Sequence, residues 1–128
     1  MIAVDTSALL AILLKEALAS DCKATLIADG QPLISAGTLT EALIVAGGRG
    51  IRDEMQEFIG SVGIEVVPID AAAARRVADA HARWGRGAKT AGLNFGDCFA
   101  YAVAKENNCP LLYVGRDFAK TDVKSALR

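Results

Sequence analysis

The chain has 128 residues, of which 52% are hydrophobic, so we expect a single domain over residues 1–128 with a sizeable core rather than a disordered protein. Its formal net charge of -1 excludes a molecule-wide basic field for nucleic acid. Three widely separated cysteines and a single histidine favour a reducing compartment, and they argue against a disulfide framework or a structural zinc site.

Short apolar runs alternate with helical patterns in the first half of the chain. Residues 1–4 predict a strand that ends at Asp5, and residues 8–14 predict the start of a helix. That apolar run is too short to span a membrane and follows an acid rather than a basic segment, so we expect a soluble, cytoplasmic protein without a signal peptide. A helix over residues 17–28, a strand over 32–35 and a helix from Thr38 to about Val45 follow, the last one ended by Gly47 and Gly48.

The second half continues the alternation. We expect a helix over residues 51–59, a strand over 64–69, a helix over 71–84 capped by Asp70, and a glycine-rich loop over 85–92. The next helix carries an apolar stripe at helical spacing, formed by Phe95, Cys98, Phe99, Ala102 and Val103. A strand over residues 111–114 follows it. Strands that alternate with helices predict an α/β fold, with a short parallel sheet covered on both faces.

Four acids stand at equivalent places in this pattern: Asp5, Glu41, Asp97 and Asp117. Each has a local structural explanation. Asp5 can cap the helix after it, Thr38-x-x-Glu41 has the spacing of a capping box, and Asn94-x-x-Asp97 is a weaker version of the same pattern. Asp117 can be an ordinary turn residue. Taken singly, each acid is explained by structure alone.

Taken together, the acids predict a metal site. Carboxylates at the carboxyl ends of parallel strands open onto one crevice, where they repel each other unless a cation is present. Their oxygens suit Mg²⁺, or Mn²⁺ in its place, and such an ion meets substrate phosphates. Thr6 and Ser7 can hold a carboxylate or a metal-bound water from outside, and Asn94 can do the same or serve only as a helix cap.

One segment of the chain is locally basic. Between residues 75 and 89 there is one acid, Asp79, against five cations: Arg75, Arg76, Arg83, Arg86 and Lys89. A basic face of this kind can meet phosphates. An ordinary solvated helix face explains the same pattern, and the sequence leaves both interpretations open.

Four separated motifs, in order and over essentially the whole chain, carry a resemblance to a known family: Val4-Asp5-Thr6-Ser7-Ala8-Leu9, Thr38-Leu-Thr-Glu41-Ala-Leu, Gly92-Leu-Asn-Phe-Gly-Asp97-Cys-Phe-Ala-Tyr-Ala and Gly115-Arg-Asp117-Phe-Ala-Lys-Thr-Asp122. The chain resembles the PIN-domain ribonucleases and, among them, the VapC toxins of bacterial toxin–antitoxin pairs. The resemblance implies a PIN-like three-layer α/β/α domain that cleaves RNA phosphodiester bonds with Mg²⁺, forms a homodimer and is neutralised by a VapB-like antitoxin.

By motif match, the resemblance makes Asp5, Glu41, Asp97 and Asp117 the acidic residues of the active site. Asp5 and Asp97 are then the expected direct metal ligands. Asp122 competes with Asp117 for the fourth position, because family members vary in register after the last strand.

Two other functions compete with a metal-dependent endoribonuclease. A phosphotransfer domain that works through an aspartyl phosphate also carries an acid at a strand end, but the hydrolases of that class have a second Asp two residues later, where this chain has Ser7. A non-catalytic binding module would keep the fold and bind only its partner. The loss of an acid would favour that module, and all four acids are present.

Overall fold

The protein is a short parallel sheet between two helical layers. The computed structural model describes residues 1–88 and 91–127. The strands are β1 (Ile2–Val4), β2 (Pro32–Ser35), β3 (Glu65–Val67) and β4 (Leu111–Leu112). The helices are α1 (Thr6–Leu13), α2 (Ala19–Ala28), α3 (Ala36–Gly48), α4 (Arg52–Val62), α5 (Ala71–Trp84) and α6 (Phe95–Glu106). The predicted three-layer α/β/α architecture is confirmed, and no helix within the described ranges is long and apolar enough to cross a membrane.

The order of the strands places a crevice beside β1. The sheet runs β3-β2-β1-β4, and all of its neighbouring strands are parallel. The chain therefore moves outward from β1 through β2 to β3 and then returns to the other side of β1 as β4. In open α/β sheets, ligands bind at the carboxyl ends of strands where the order reverses in this way. Here that point lies between the ends of β1 and β4.

Each face of the sheet supports one helical layer. Because successive side chains of a strand point to opposite faces, Val4 and Ala3 enter different cores. Val4 belongs to a core that includes Leu9 of α1 and Met55 of α4. Ala3 belongs to a second core, built largely from α5 and α6. The small residues of α6 let it lie close over β1 and β2.

The start of α3 differs from the sequence prediction. Ser35, at the end of β2, is the N-cap and accepts a hydrogen bond from the Gly37 N–H, so the helix begins at Ala36 rather than at Thr38. The predicted capping box Thr38-x-x-Glu41 is therefore wrong, because Thr38 occupies the third helical position and Glu41 lies a turn further on. The helix also extends through its paired glycines to Gly48, although both glycines are exposed.

The apolar stripe of α6 is only partly buried. Cys98, Ala102 and Val103 lie in the core as predicted. Phe95 was expected to join them, but its side chain is 72% exposed. Phe95 is the first residue of the helix, and its ring makes a T-shaped contact with the Phe99 ring, at a centroid distance of 5.0 Å. Helical spacing identifies the face of a helix but not the point along it where the core ends.

Candidate active site

Asp5 is fixed at the carboxyl end of β1 by its neighbour Ser7. As predicted, Asp5 is the N-cap of α1: its Oδ2 accepts a 3.1 Å hydrogen bond from the Ser7 N–H and a 2.6 Å bond from the Ser7 hydroxyl. The same hydroxyl oxygen accepts a 3.0 Å bond from the N–H of Val114, just past β4. Ser7 therefore joins the ends of β1 and β4 and orients the Asp5 carboxylate between them.

The second oxygen of Asp5 has no partner. Oδ1 is buried and accepts no hydrogen bond from any described residue. The pKa of Asp5 is raised to about 6: burial is the largest cause, the two Ser7 bonds act in the opposite direction, and the charges of Asp97 and Glu41 add to the increase. A buried acceptor without a partner is costly to a fold, so such a group calls for an explanation.

Glu41 reaches the same crevice from α3. Its Oε1 accepts a 2.7 Å hydrogen bond from the hydroxyl of Thr6, at the start of α1. Its other oxygen packs against Gly96 of α6 so closely that a Cβ atom at position 96 would collide with the carboxylate. Thr6 and Gly96 thus confine the Glu41 carboxylate on two sides. Both are small enough to let α1, α3 and α6 meet.

Asp97 combines a structural role with a place in the crevice. Asn94 Oδ1 accepts a 2.8 Å bond from the Asp97 N–H, and Asp97 Oδ2 accepts a 3.1 Å bond from the Asn94 N–H, which completes a capping box. Burial raises the pKa of Asp97; the Asn94 bond lowers it, the charges of Asp117 and Glu41 raise it, and the charge of Arg86 lowers it. The capping explanation of Asn94 and Asp97 is therefore correct, and Asp97 still shares a field with the other acids.

Asp117 and Asp122 have different surroundings. Asp117 is exposed after β4, and its charge acts on Asp97. Asp122 is engaged elsewhere: its Oδ1 accepts a 2.6 Å bond from the Tyr101 hydroxyl, and its Oδ2 pairs with Lys105 at 3.4 Å and Arg83 at 3.7 Å. The Tyr101 bond is the largest of the effects that hold the pKa of Asp122 below its usual range. We use the term acid cluster for Asp5, Glu41, Asp97 and Asp117.

The acid cluster is not a ready-made metal cage. Within residues 1–88 and 91–127, no three His, Cys, Asp or Glu side chains are arranged so that they could hold a metal ion as they stand. What the cluster offers instead is carboxylate oxygens around one unpartnered atom, Asp5 Oδ1. An ion held there would need water to complete its ligands.

The basic residues of the 75–89 segment do not form one free surface. Arg76 pairs with Glu106 at 3.4 Å, and Arg83 pairs with Asp122 and lies 4.5 Å from the centre of the Trp84 ring. Arg75 is exposed on α5. Arg86 acts on Asp97 by its charge. Lys89, the last member of this predicted set, lies outside the described residues.

Sequence reasoning missed the part that Gly96 plays in the site. Glycine has a low helix propensity, so a glycine inside the first turn of a helix, directly before Asp97, was a signal that this position needs a residue without a side chain. The hydrogen-bonded series from Trp84 through Tyr101 to Asp122 was also missed. The Trp84 Nε1–H donates a 2.9 Å bond to the Tyr101 hydroxyl, but this contact joins two helices and no local pattern announces it.

Comparisons with known proteins agree on one family. The PIN domain family model matches residues 2–124. The chain is 39% identical over 128 residues to Ribonuclease VapC28 of Mycobacterium tuberculosis, and the aligned region covers 97% of this chain and 96% of that protein.

Two solved structures share the fold. The crystal structure of Mycobacterium tuberculosis VapC20, described as a Sarcin-Ricin loop cleaving toxin, has a TM-score of 0.79 at 16% identity, covering 100% of both chains. A toxin–antitoxin complex from Klebsiella pneumoniae has a TM-score of 0.71 at 20% identity, covering 95% of this chain and 93% of that one. With the family match over nearly its whole length, the chain belongs to the PIN domain family and, within it, to the VapC proteins.

Proposed function

We propose that this protein is a Mg²⁺-dependent endoribonuclease that hydrolyses RNA phosphodiester bonds and serves as the toxin of a type II toxin–antitoxin pair. Relatives that are 36–39% identical over almost the whole chain are named ribonucleases. The structure adds the acid cluster at the point of the sheet where ligands bind.

The observation that carries the proposal is the unpartnered Asp5 Oδ1 inside a group of acids that repel one another. A divalent cation would give this atom a partner and offset the repulsion. Asp5 and Asp97 are the proposed direct ligands, and Glu41 and Asp117 hold metal-bound waters or complete the cluster. Mg²⁺ usually keeps several waters and takes few protein ligands, which fits a site without a complete protein cage.

The ion would supply two things when bound: a water of lowered pKa and a positive charge beside the scissile phosphate. The chain's own residues prepare the site. Ser7 orients the Asp5 carboxylate through its N–H and hydroxyl, and Thr6 orients Glu41. Asn94 fixes Asp97 through the capping box. Asp117, rather than Asp122, is the fourth acid, because Asp122 is already occupied by Tyr101, Lys105 and Arg83.

The proposed partners are RNA as substrate, a small VapB-like antitoxin that neutralises the toxin, and a second copy of this chain in a homodimer. The setting is cytoplasmic. Support for the antitoxin comes from the VapC relatives, and structures of the same fold include a toxin–antitoxin complex.

Cleavage of RNA by the purified chain tests the proposal. We expect cleavage with Mg²⁺ or Mn²⁺ and none in EDTA, and we expect Asp5→Asn and Asp97→Asn to abolish cleavage while the circular dichroism spectrum stays native. The exposed Asp79→Asn variant is the matched control and should cleave at the wild-type rate. Full activity in EDTA, from a preparation shown free of other nucleases, would exclude the metal mechanism. Binding of RNA or antitoxin without any cleavage would favour a non-catalytic binding module instead.

A further inference from the structure

The acid cluster poses an electrostatic problem for its proposed substrate. RNA brings a negative phosphate to a crevice that already holds four carboxylates, and like charges repel strongly where water is partly excluded. A divalent ion offsets part of this charge. A positive side chain at the rim of the crevice would offset more of it and would also orient the phosphate.

Most of the cations on α5 and α6 are poorly placed for this task. Arg76 is paired with Glu106, and Lys105 with Asp122. Arg83 is engaged with Asp122 and the Trp84 ring. An incoming phosphate would have to compete with these carboxylates for the cations, so this face attracts RNA less than its sequence suggests.

Arg86 differs from these residues. It is exposed, and none of the ion pairs among the described residues involves it.

The backbone holds Arg86 at the entrance to α6. The Arg86 N–H donates to the Leu93 carbonyl at 3.1 Å, and the Leu93 N–H donates to the Trp84 carbonyl at 2.8 Å. Trp84 and Leu93 are both buried, and Leu93 is followed directly by the cap residue Asn94. Gly85 lets the chain leave α5 directly before Arg86, since a Cβ atom there would collide with the carbonyl oxygen of His81. Arg86 is therefore anchored beside the helix turn that carries Asp97.

We propose that Arg86 binds the phosphate of the RNA substrate at the acid cluster, through the two parallel hydrogen bonds that a guanidinium group makes to phosphate oxygens. This inference rests on the proposed function and names a substrate-binding residue of the same site. Arginine suits the role better than lysine, because its planar group presents its donors as a rigid fork.

Two measurements test the role of Arg86. The first is the affinity for fluorescent single-stranded RNA of mixed sequence, over a range of salt concentrations and in an Asp5→Asn background so that the RNA survives. Adding Arg86→Ala should weaken binding about tenfold and reduce the slope of log affinity against log salt by about one. The matched control, Arg76→Ala with Arg83→Ala, should change both quantities less. The second measurement is kcat/KM in chains that retain Asp5. Arg86→Ala should lower it by roughly tenfold to a hundredfold, the size expected for hydrogen bonds to a charged group.

Arg86→Lys separates charge from geometry. It should restore the salt slope but only part of the cleavage rate, because the charge returns without the fork. Full recovery of cleavage with lysine would overturn the two-bond arrangement. Unchanged affinity and salt slope in Arg86→Ala would overturn the proposal altogether. Because binding is measured apart from cleavage, an inactive wild-type chain would defeat the proposed function and still leave the role of Arg86 decided by the binding data.

Discussion

Replacing Asp5 by Asn should make the metal-free protein more stable at neutral pH while it destroys the site. Burial, with the charges of Asp97 and Glu41, raises the pKa of Asp5 from 3.8 to about 6. The folded protein therefore binds the Asp5 proton more tightly than the unfolded chain does. Stability contributed through this group is complete below pH 4, falls as the pH rises from about 4 to about 6, and then stays at its lower level.

The size of the effect follows from the shift. A change of one pKa unit corresponds to about 1.4 kcal/mol, so ionised Asp5 costs the fold up to about 3 kcal/mol at pH 8. Asparagine removes this cost and can keep both Ser7 bonds, because its carbonyl oxygen can take the place of Oδ2. Its amide nitrogen would then occupy the position of Oδ1, which lacks a partner, at a cost of about 1–3 kcal/mol. The expected net gain at pH 8 is about 1 kcal/mol.

Urea unfolding in EDTA at several pH values measures this gain. The difference in unfolding free energy between Asp5→Asn and wild type should increase between pH 4 and pH 7 and be flat from there to pH 8. Adding Mn²⁺ at a hundred times its dissociation constant should stabilise the wild type by about 3 kcal/mol and leave Asp5→Asn nearly unaffected. The exposed Asp79→Asn variant should follow the wild type throughout. A difference that does not grow over this pH range would refute the electrostatic account of Asp5.

Two other substitutions test Gly96, which the fold brings against Glu41 of the acid cluster, and Asp122, which the fold pairs with residues outside that cluster. Gly96→Ala should force the Glu41 carboxylate to move and should lower cleavage at least about tenfold, with little change in melting temperature. The control, Gly60→Ala, lies in open space on α4 and should leave cleavage intact while it stabilises the helix by roughly 1 kcal/mol. Normal cleavage by Gly96→Ala would contradict the packing argument. Asp122→Asn should lower the melting temperature slightly at pH 7, and this difference should shrink as the pH falls through the depressed folded pKa of Asp122, because the stability that this group contributes is lost there. The variant should leave cleavage intact; loss of activity in a well-folded Asp122→Asn protein would contradict this.

Local signals in the sequence were enough for the order of elements and for the parallel sheet. They were weaker at boundaries, where tertiary contacts decide. The helix predicted over residues 51–59 continues to Val62 and ends at Gly63, whose φ of 74° suits glycine. The strand predicted over residues 64–69 is only Glu65–Val67, and it is followed directly by Pro68, which has no backbone N–H to donate to the sheet.

In the candidate site, too, local features could be predicted from the sequence and features that depend on tertiary contacts could not. Asp5 and Asp97 could be predicted because a cap lies within a few residues of the group that it caps. The proposed preference for Asp117 over Asp122 could not be predicted. It rests on the contacts of Asp122 with Tyr101 and Lys105, which come before β4 in the chain, whereas Asp122 comes after it. The ion pairs of the basic segment could not be predicted from the sequence either. Five cations against one acid are compatible with a surface for RNA. In the folded protein, however, Arg76 pairs with Glu106 and Arg83 pairs with Asp122, and both acids lie outside the basic segment of the sequence.

The two capping acids show how a fold can maintain a cluster of like charges. Asp5 begins α1 and Asp97 completes a capping box at the start of α6, so each carboxylate accepts backbone N–H bonds and faces the positive end of a helix dipole. A cap contributes about 1 kcal/mol to a helix, which offsets part of the repulsion in the metal-free state. The compensation is incomplete, because the pKa of Asp5 still rises to about 6. The remaining cost lies in ionised Asp5 and its unpartnered Oδ1, and a bound cation would act on both.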